Sequence, residues 1–124
     1  ECHDGIEAIQ VYAAESQRTI EDDHYGVSII CAIADTTEAA LELVAPALSR
    51  RREDVGLESY TALGTPETIQ ETLNEYVEAG ITKFVLRPLG PPAVWKAQAE
   101  RLAKEVIAPM QTPWTEQELA ERPL

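Results

Sequence analysis

Apolar positions along the chain switch between two rhythms. From about Asp4 to Arg18, Ile6, Ile9 and Ala13, with Val11 and Tyr12 beside them, recur at the three-to-four spacing of an amphipathic helix. Glu21-Asp22-Asp23-His24 breaks that rhythm. Tyr25 to Ala34 then runs almost wholly apolar and β-branched with little alternation, which predicts a strand buried on both faces, as in a parallel sheet. Asp35-Thr36-Thr37-Glu38 offers side-chain acceptors for the free N–H groups of a helix start. The helix that follows extends to about Arg50 with a stripe of Ala40, Leu41, Val44, Ala47 and Leu48, interrupted by Pro46.

Arg50-Arg51-Arg52-Glu53-Asp54 reads as exposed, and Ser59 to Leu63 as a short extended piece. The clearest local signal is Gly64-Thr65-Pro66-Glu67: a capping Thr, a Pro at the first helical position and an acid in the positive first turn. Ile69, Leu73, Tyr76 and Val77 continue at helical spacing until Gly80, a residue suited to the left-handed turn that ends helices. Lys83-Phe84-Val85-Leu86 predicts a second short buried strand, closed by the stiff loop Arg87-Pro88-Leu89-Gly90-Pro91-Pro92. A last helix covers roughly Ala93 to Ala108, with Trp95, Ala99, Leu102, Ala103, Val106 and Ile107 expected on its inner face. Beyond Pro109 the tail reads as irregular, with a helical turn over Thr115 to Glu121. No internal repeat of fixed period is present.

Helix, strand, helix, helix, strand, helix is the order of an α/β protein with parallel strands and helical crossovers. Two or three such strands leave both sheet edges open and bury little core. A closed (β/α)8 barrel takes about 250 residues, and this chain has 124. The pattern therefore predicts part of something larger, and the abrupt opening on Glu1-Cys2-His3-Asp4 without a start methionine suggests a trimmed beginning.

The composition narrows the partners. At 44% hydrophobic and 26% charged the chain is globular, and its formal charge of −12 argues against nucleic acid or an anionic membrane as partner. Solvated acidic helix faces account for the excess. Cys31 lies inside the apolar run and is expected to be a buried thiol, Cys2 sits near the start, and no disulfide framework or metal-ligand spacing connects them. No apolar run of about 20 residues and no signal-peptide pattern occurs. These features together predict a cytoplasmic protein.

Leu63-Gly64-Thr65-Pro66-Glu67, the helix end Glu78-Ala79-Gly80 and the run Ile81-Thr82-Lys83-Phe84-Val85-Leu86-Arg87-Pro88 together resemble the C-terminal signature of the luciferase-like monooxygenases. Asp23-His24-Tyr25-Gly26-Val27 and Ala34-Asp35-Thr36 resemble that family's seventh strand and the turn after it, and Gly5-Ile6-Glu7-Ala8-Ile9 resembles its sixth helix. The resemblance covers residues 1–108 and leaves 109–124 as a C-terminal tail. It implies the last two to three β/α units of a TIM (β/α)8 barrel. It also implies an oxidoreductase or monooxygenase that uses FMN or the deazaflavin coenzyme F-420 on a small-molecule substrate. The family's phosphate loops and most of its catalytic side chains lie on the first six strands, so no catalytic residue and no metal site is expected here, and the chain alone is expected to be inactive.

The resemblance leaves two places for function, because barrel chemistry gathers at the C-terminal ends of the strands. One is Asp35 and the excursion to about Leu63, where the family carries a mobile lid. There Arg50, Arg51 and Arg52 could pair with a cofactor or substrate anion, or simply form a solvated basic helix end. The other is Arg87, directly after the last strand, which could reach a cofactor or serve as a structural ion pair. His24 falls before its strand, at the end expected to face away from the active site, and reads as support for a turn. Trp95 reads as core and Trp114 as packing for the tail. The expected partners are the rest of the barrel or further copies of the chain. The competing function is a non-catalytic α/β interaction module that oligomerises through its open sheet edges.

Overall fold

A computed structural model describes residues 1–21, 24–48, 54–111 and 115–121. Three strands form one parallel sheet: β1 (Gly26–Ile33), β2 (Thr61–Gly64) and β3 (Lys83–Pro88). Its order is β2-β1-β3, so the long apolar run is the central strand. The two strands expected from the apolar runs do lie side by side and parallel, with Val27 opposite Phe84 and Ile29 opposite Leu86. The short piece after Ser59 adds a third strand on the far edge of β1, pairing Ile30 with Thr61 through Ile33 with Gly64. Thr61 begins it with its hydroxyl donated to the Leu57 carbonyl at 2.6 Å.

The helices are α1 (Cys2–Glu15), α2 (Thr37–Val44), α3 (Pro66–Glu78), α4 (Trp95–Leu102), α5 (Ala108–Met110) and α6 (Glu116–Glu121). α2 and α3 start where the sequence places a cap. The Thr36 and Thr65 hydroxyls accept from the N–H groups of Ala39 at 3.1 Å and Thr68 at 3.2 Å, satisfying donors that a helix start leaves free. Thr115 and Glu118 form a reciprocal capping box on α6, with Glu118 N–H donating to Thr115 Oγ1 and Thr115 N–H to Glu118 Oε2. Those bonds hold the Glu118 carboxyl below its usual range. α2 stops at Val44, two residues before Pro46, rather than reaching Arg50.

Side chains of β1 divide between two layers. Ile29, Cys31 and Ile33, with Ala62 from β2, meet Ile69 and Leu73 of α3 and Leu102 and Val106 from α4 and the turn after it. Ala32 and Ala34 meet Ala40 and Val44 of α2 on the other face. Alternation along a strand produces this division, and helices on both faces explain why β1 has no polar face in sequence. Cys31 is wholly buried, which pushes its thiol up to about 12. Gly64 and Gly80 sit at φ +138° and +101°, a region costly for any residue with a Cβ. An added Cβ at Gly64 would also meet Thr37 Oγ1 at 3.0 Å, because α2 and α3 both start beside it.

Between α4 and α5 the helix widens into a π turn over Ala103–Ile107. Pro109 explains it. It has no N–H for the Glu105 carbonyl four residues back, and its ring crowds that carbonyl. Gln70 of α3 takes the vacant acceptor, donating its amide to Glu105 O at 2.7 Å. Gln98, Leu102 and Val106 point inward, whereas Trp95 is half exposed and Ala99 and Ala103 are exposed, against the sequence expectation of a Trp95 core. Trp95 instead donates its indole N–H to the Gly90 carbonyl at 2.9 Å, bracing the proline-rich loop.

Candidate functional site

The C-terminal ends of the three strands form a crest carrying Ala34-Asp35, Gly64-Thr65 and Arg87-Pro88-Leu89. It is built by main-chain bonds that outlast the ladder: Ala34 N–H donates to Gly64 O and Leu89 N–H to Cys31 O, both at 2.9 Å. The chain leaves β3 at Pro88, two pairs before β1 ends, so Ile33 has no strand partner on that side. Gln98 substitutes for one. Its Oε1 accepts from Ile33 N–H at 2.8 Å and its Nε2 donates to Ile33 O at 2.7 Å, both buried. The side-chain amide reproduces the donor and acceptor of the missing peptide group.

Beyond Gln98, Arg101 reaches the same crest. Its Nη1 lies 3.2 Å from Asp35 Oδ1 and its Nε donates to Glu105 Oε2 at 2.6 Å. The hydrogen bond it donates to Glu105 raises its pKa above the ordinary arginine value; burial opposes this, and the charges of Glu105 and Asp35 add to it. Asp35, the second residue after β1, is therefore tied to a helix behind the sheet.

Arg87 behaves differently. It pairs in register with Ile30, and directly paired residues of a parallel sheet share a face. It is exposed and makes no hydrogen bond or ion pair with the described residues. The face it shares is the one that α2 covers only at its crest end. Below α2 this face is open: Ser28, Lys83 and Val85 are exposed, Val85 at 61%, and Ile30 is half-buried. Arg87 thus presents a free guanidinium on an open sheet face, near the crest.

The other sequence candidates scatter. Arg50, Arg51, Arg52 and Trp114 lie outside the described residues. His24 is exposed ahead of β1, at the opposite end from the crest, with its N–H bonded to Glu21 O at 3.0 Å. His3, Asp4 and Glu7 offer metal-type ligand atoms within 4.8 Å of one another on the first two turns of α1, but all three are exposed. Ordinary pairing of His3 with the two acids, at 3.8 Å each, accounts for them. Sequence reasoning missed Gln98 and Arg101. The available signal for Gln98 was an amide four residues before Leu102 and eight before Val106, on what becomes the buried stripe.

No family model matches the chain, and no curated protein matches it. Among solved structures it is similar to a type II Baeyer-Villiger monooxygenase, the oxygenating constituent of 3,6-diketocamphane monooxygenase from the CAM plasmid of Pseudomonas putida, in complex with FMN. The match has a TM-score of 0.64 at 20% identity and covers 91% of this chain but 41% of that one. At that identity the likeness establishes a shared fold over this stretch. This chain spans well under half the length of its structural relative. Among the described residues, no helix is long and apolar enough to cross a membrane.

Proposed function

We propose that the chain forms the C-terminal β/α units of a (β/α)8 barrel belonging to a luciferase-like, flavin-dependent monooxygenase, with β1 and β3 as its last two barrel strands. The observation that carries this reading is the conjunction of the fold match with the parallel, adjacent pairing of β1 and β3. The open sheet face supports it, since a barrel interior is filled by side chains from all of its strands and three strands supply only a part. α2 lies over the crest end of that same face, where a lid over a barrel mouth would sit.

The solved relative binds FMN. Arg87 fits the phosphate of such a cofactor, because a guanidinium with no ion pair among the described residues pairs well with phosphate oxygens. Arg50, Arg51 and Arg52 are proposed as further anion contacts on the segment after α2. Coenzyme F-420 also carries anionic groups, and these residues suit either cofactor. FMN or F-420 would supply the redox chemistry when bound. The chain's own contribution is to position an anionic group at Arg87 and to exclude water with α2. It contributes no catalytic residue, so it is inactive without the remaining units.

The encoding reading frame tests the fold assignment: six further barrel strands and five helices are expected ahead of Glu1, and a native start codon at Glu1 would refute it. On the protein, titration of FMN and F-420 followed by their fluorescence tests the anion contact. Arg87→Ala is expected to weaken any binding, and added salt to do the same. Equal affinity of the parent and Arg87→Ala chains refutes the role of Arg87.

The second reading is an interaction module that assembles through its sheet edges. What favours it is that α1 buries no residue and leaves Ile9, Val11 and Tyr12 exposed at 45%, 55% and 71%. Sedimentation velocity separates the two readings. A concentration-dependent oligomer of the isolated chain favours assembly.

A further inference from the structure

α2 and α3 are seated on the sheet with unequal strength. α3 packs Ile69 and Leu73 against Ile29, Cys31 and Ile33, and all of these are almost wholly buried. α2 is eight residues long and buries only Ala40 and Val44, and the strand residues beneath it are Ala32 and Ala34. Three of those four side chains are single methyl groups, so α2 gains little from excluding water. Elements held by few apolar contacts open locally before the rest of a fold. α2 therefore needs a further tie to stay over the crest.

Asp35 is the joint between sheet and helix. The last sheet bond before it is Ala34 N–H to Gly64 O at 2.9 Å, and the first helix bond after it is Ala40 N–H to Thr36 O at 3.2 Å. Arg101 grips this joint from α4, with Nη1 at 3.2 Å from Asp35 Oδ1. The same guanidinium donates from Nε to Glu105 Oε2 at 2.6 Å, four residues further along its own helix. The two ties are unequal. Arg101 and Glu105 are 34% and 41% exposed, whereas Asp35 is 93% exposed, so water and salt reach the Asp35 side most easily. When Asp35 swings away, the bond to Glu105 keeps the guanidinium aimed at the crest. Re-forming the contact then orders one side chain rather than two, which limits its entropic cost.

We infer that Arg101 and Asp35 form a salt-sensitive latch that holds α2 over the crest. Its release lets α2 lift from Ala32 and Ala34, which extends the open sheet face carrying Arg87 up to the crest. An ion pair this exposed shifts an equilibrium by no more than about fivefold. That weakness suits a device that opens and closes, since a stronger tie would hold α2 shut. The latch stands whether or not the chain belongs to a barrel. Only the use of the uncovered face rests on the role proposed for Arg87.

Amide hydrogen exchange of the full chain tests the latch, read as the opening constant of the Ala40 and Ala45 amides at the two ends of α2 relative to that of Ile69 in α3. Arg101→Met keeps the apolar stem and removes the charge. At about 20 mM salt it is expected to raise that ratio about two- to fivefold. Raising salt to about 1 M should bring the parent to the same ratio and leave the variant unchanged. Asp35→Asn should raise the ratio in the parent and have a smaller effect in the Arg101→Met background, because the two residues act as one contact. Glu105→Gln retains an acceptor for Arg101 and is expected to leave α2 unaffected. A substitution that merely loosened the whole fold would speed Ile69 equally and leave the ratio at its parent value. An unchanged ratio in Arg101→Met, a salt response that survives in it, or additive effects of Arg101→Met and Asp35→Asn would each overturn the latch. Flavin affinity enters none of these outcomes, so the latch and the role of Arg87 fail independently.

Discussion

Replacing Gln98 with Leu isolates the amide that finishes the sheet. The variant keeps side-chain volume near that of Gln and removes both bonds to Ile33. Ile33 is 1% exposed, so water cannot reach the N–H and carbonyl left behind. Each buried unpaired backbone group costs about 1–3 kcal/mol, and the added apolar burial of Leu returns about 1–2 kcal/mol. The net loss is about 3 kcal/mol, a large share of the about 5–15 kcal/mol of a typical domain. Urea unfolding followed by far-ultraviolet circular dichroism should then show a midpoint lower by about 1–2 M with an unchanged slope. Gln98→Glu supplies the chemical control. Its carboxylate still accepts from Ile33 N–H but faces the Ile33 carbonyl without a proton to donate, so its folded pKa should rise. A carboxyl raised in this way is most stable in the fold below its unfolded pKa of about 4.3 and loses stability as pH climbs through the folded value. A Gln98→Leu midpoint within about 0.3 M of the parent would refute the reasoning, since it would mean that Ile33 finds other partners.

Further outcomes follow from the same structure. Gln70→Ala should cost about 1 kcal/mol by vacating the Glu105 carbonyl, and Pro109→Ala in that background should restore part of it by supplying an N–H; thermal melts of the single and double variants check this. Gly80→Ala should destabilise by about 1–2 kcal/mol, because the backbone there has φ +101° and the new Cβ meets Ile6 Cδ1 at 3.1 Å, measurable as a lower urea midpoint. Cys31 should resist thiol reagents in the native chain while Cys2, only part-buried, reacts; equal rates for both contradict the burial. The Cys31 thiol also makes alkaline pH destabilising. Its folded pKa stands above its unfolded one, so stability is intact below 9.0 and is lost as pH rises from there toward about 12, a slope that Cys31→Ala should remove.

The crest and the rest of the fold differ in how far the sequence reveals them. Thr65-Pro66 and Gly80 bracket α3 because capping, proline geometry and left-handed turns act over four or five residues, all of them adjacent in the chain. The apolar run of β1 announced a strand buried on both faces for the same reason, whereas α2, expected to about Arg50 with an interruption at Pro46, ends at Val44. Arg87 at the end of a strand was likewise legible from position alone. Its freedom from any described acid was not, because that depends on which elements pack nearby.

Partnership across long stretches of chain was hidden throughout. Gln98 and Ile33 stand 65 residues apart, and Gln70 and Glu105 35 apart. Nothing local marks either amide as the acceptor's or donor's counterpart. Trp95 failed as a core residue because it opens α4 and turns its indole N–H back to the Gly90 carbonyl, a contact outside the helix. The place of β2 beside β1, away from β3, also lay beyond periodicity, since a four-residue strand buries almost alike on either edge. Local sequence thus determined where each element begins and ends, through bonds and sterics that reach no further than one turn. Tertiary packing decided which edges meet, which polar groups complete the ladder and which face stays open, because those energies arise only once distant segments exclude water together.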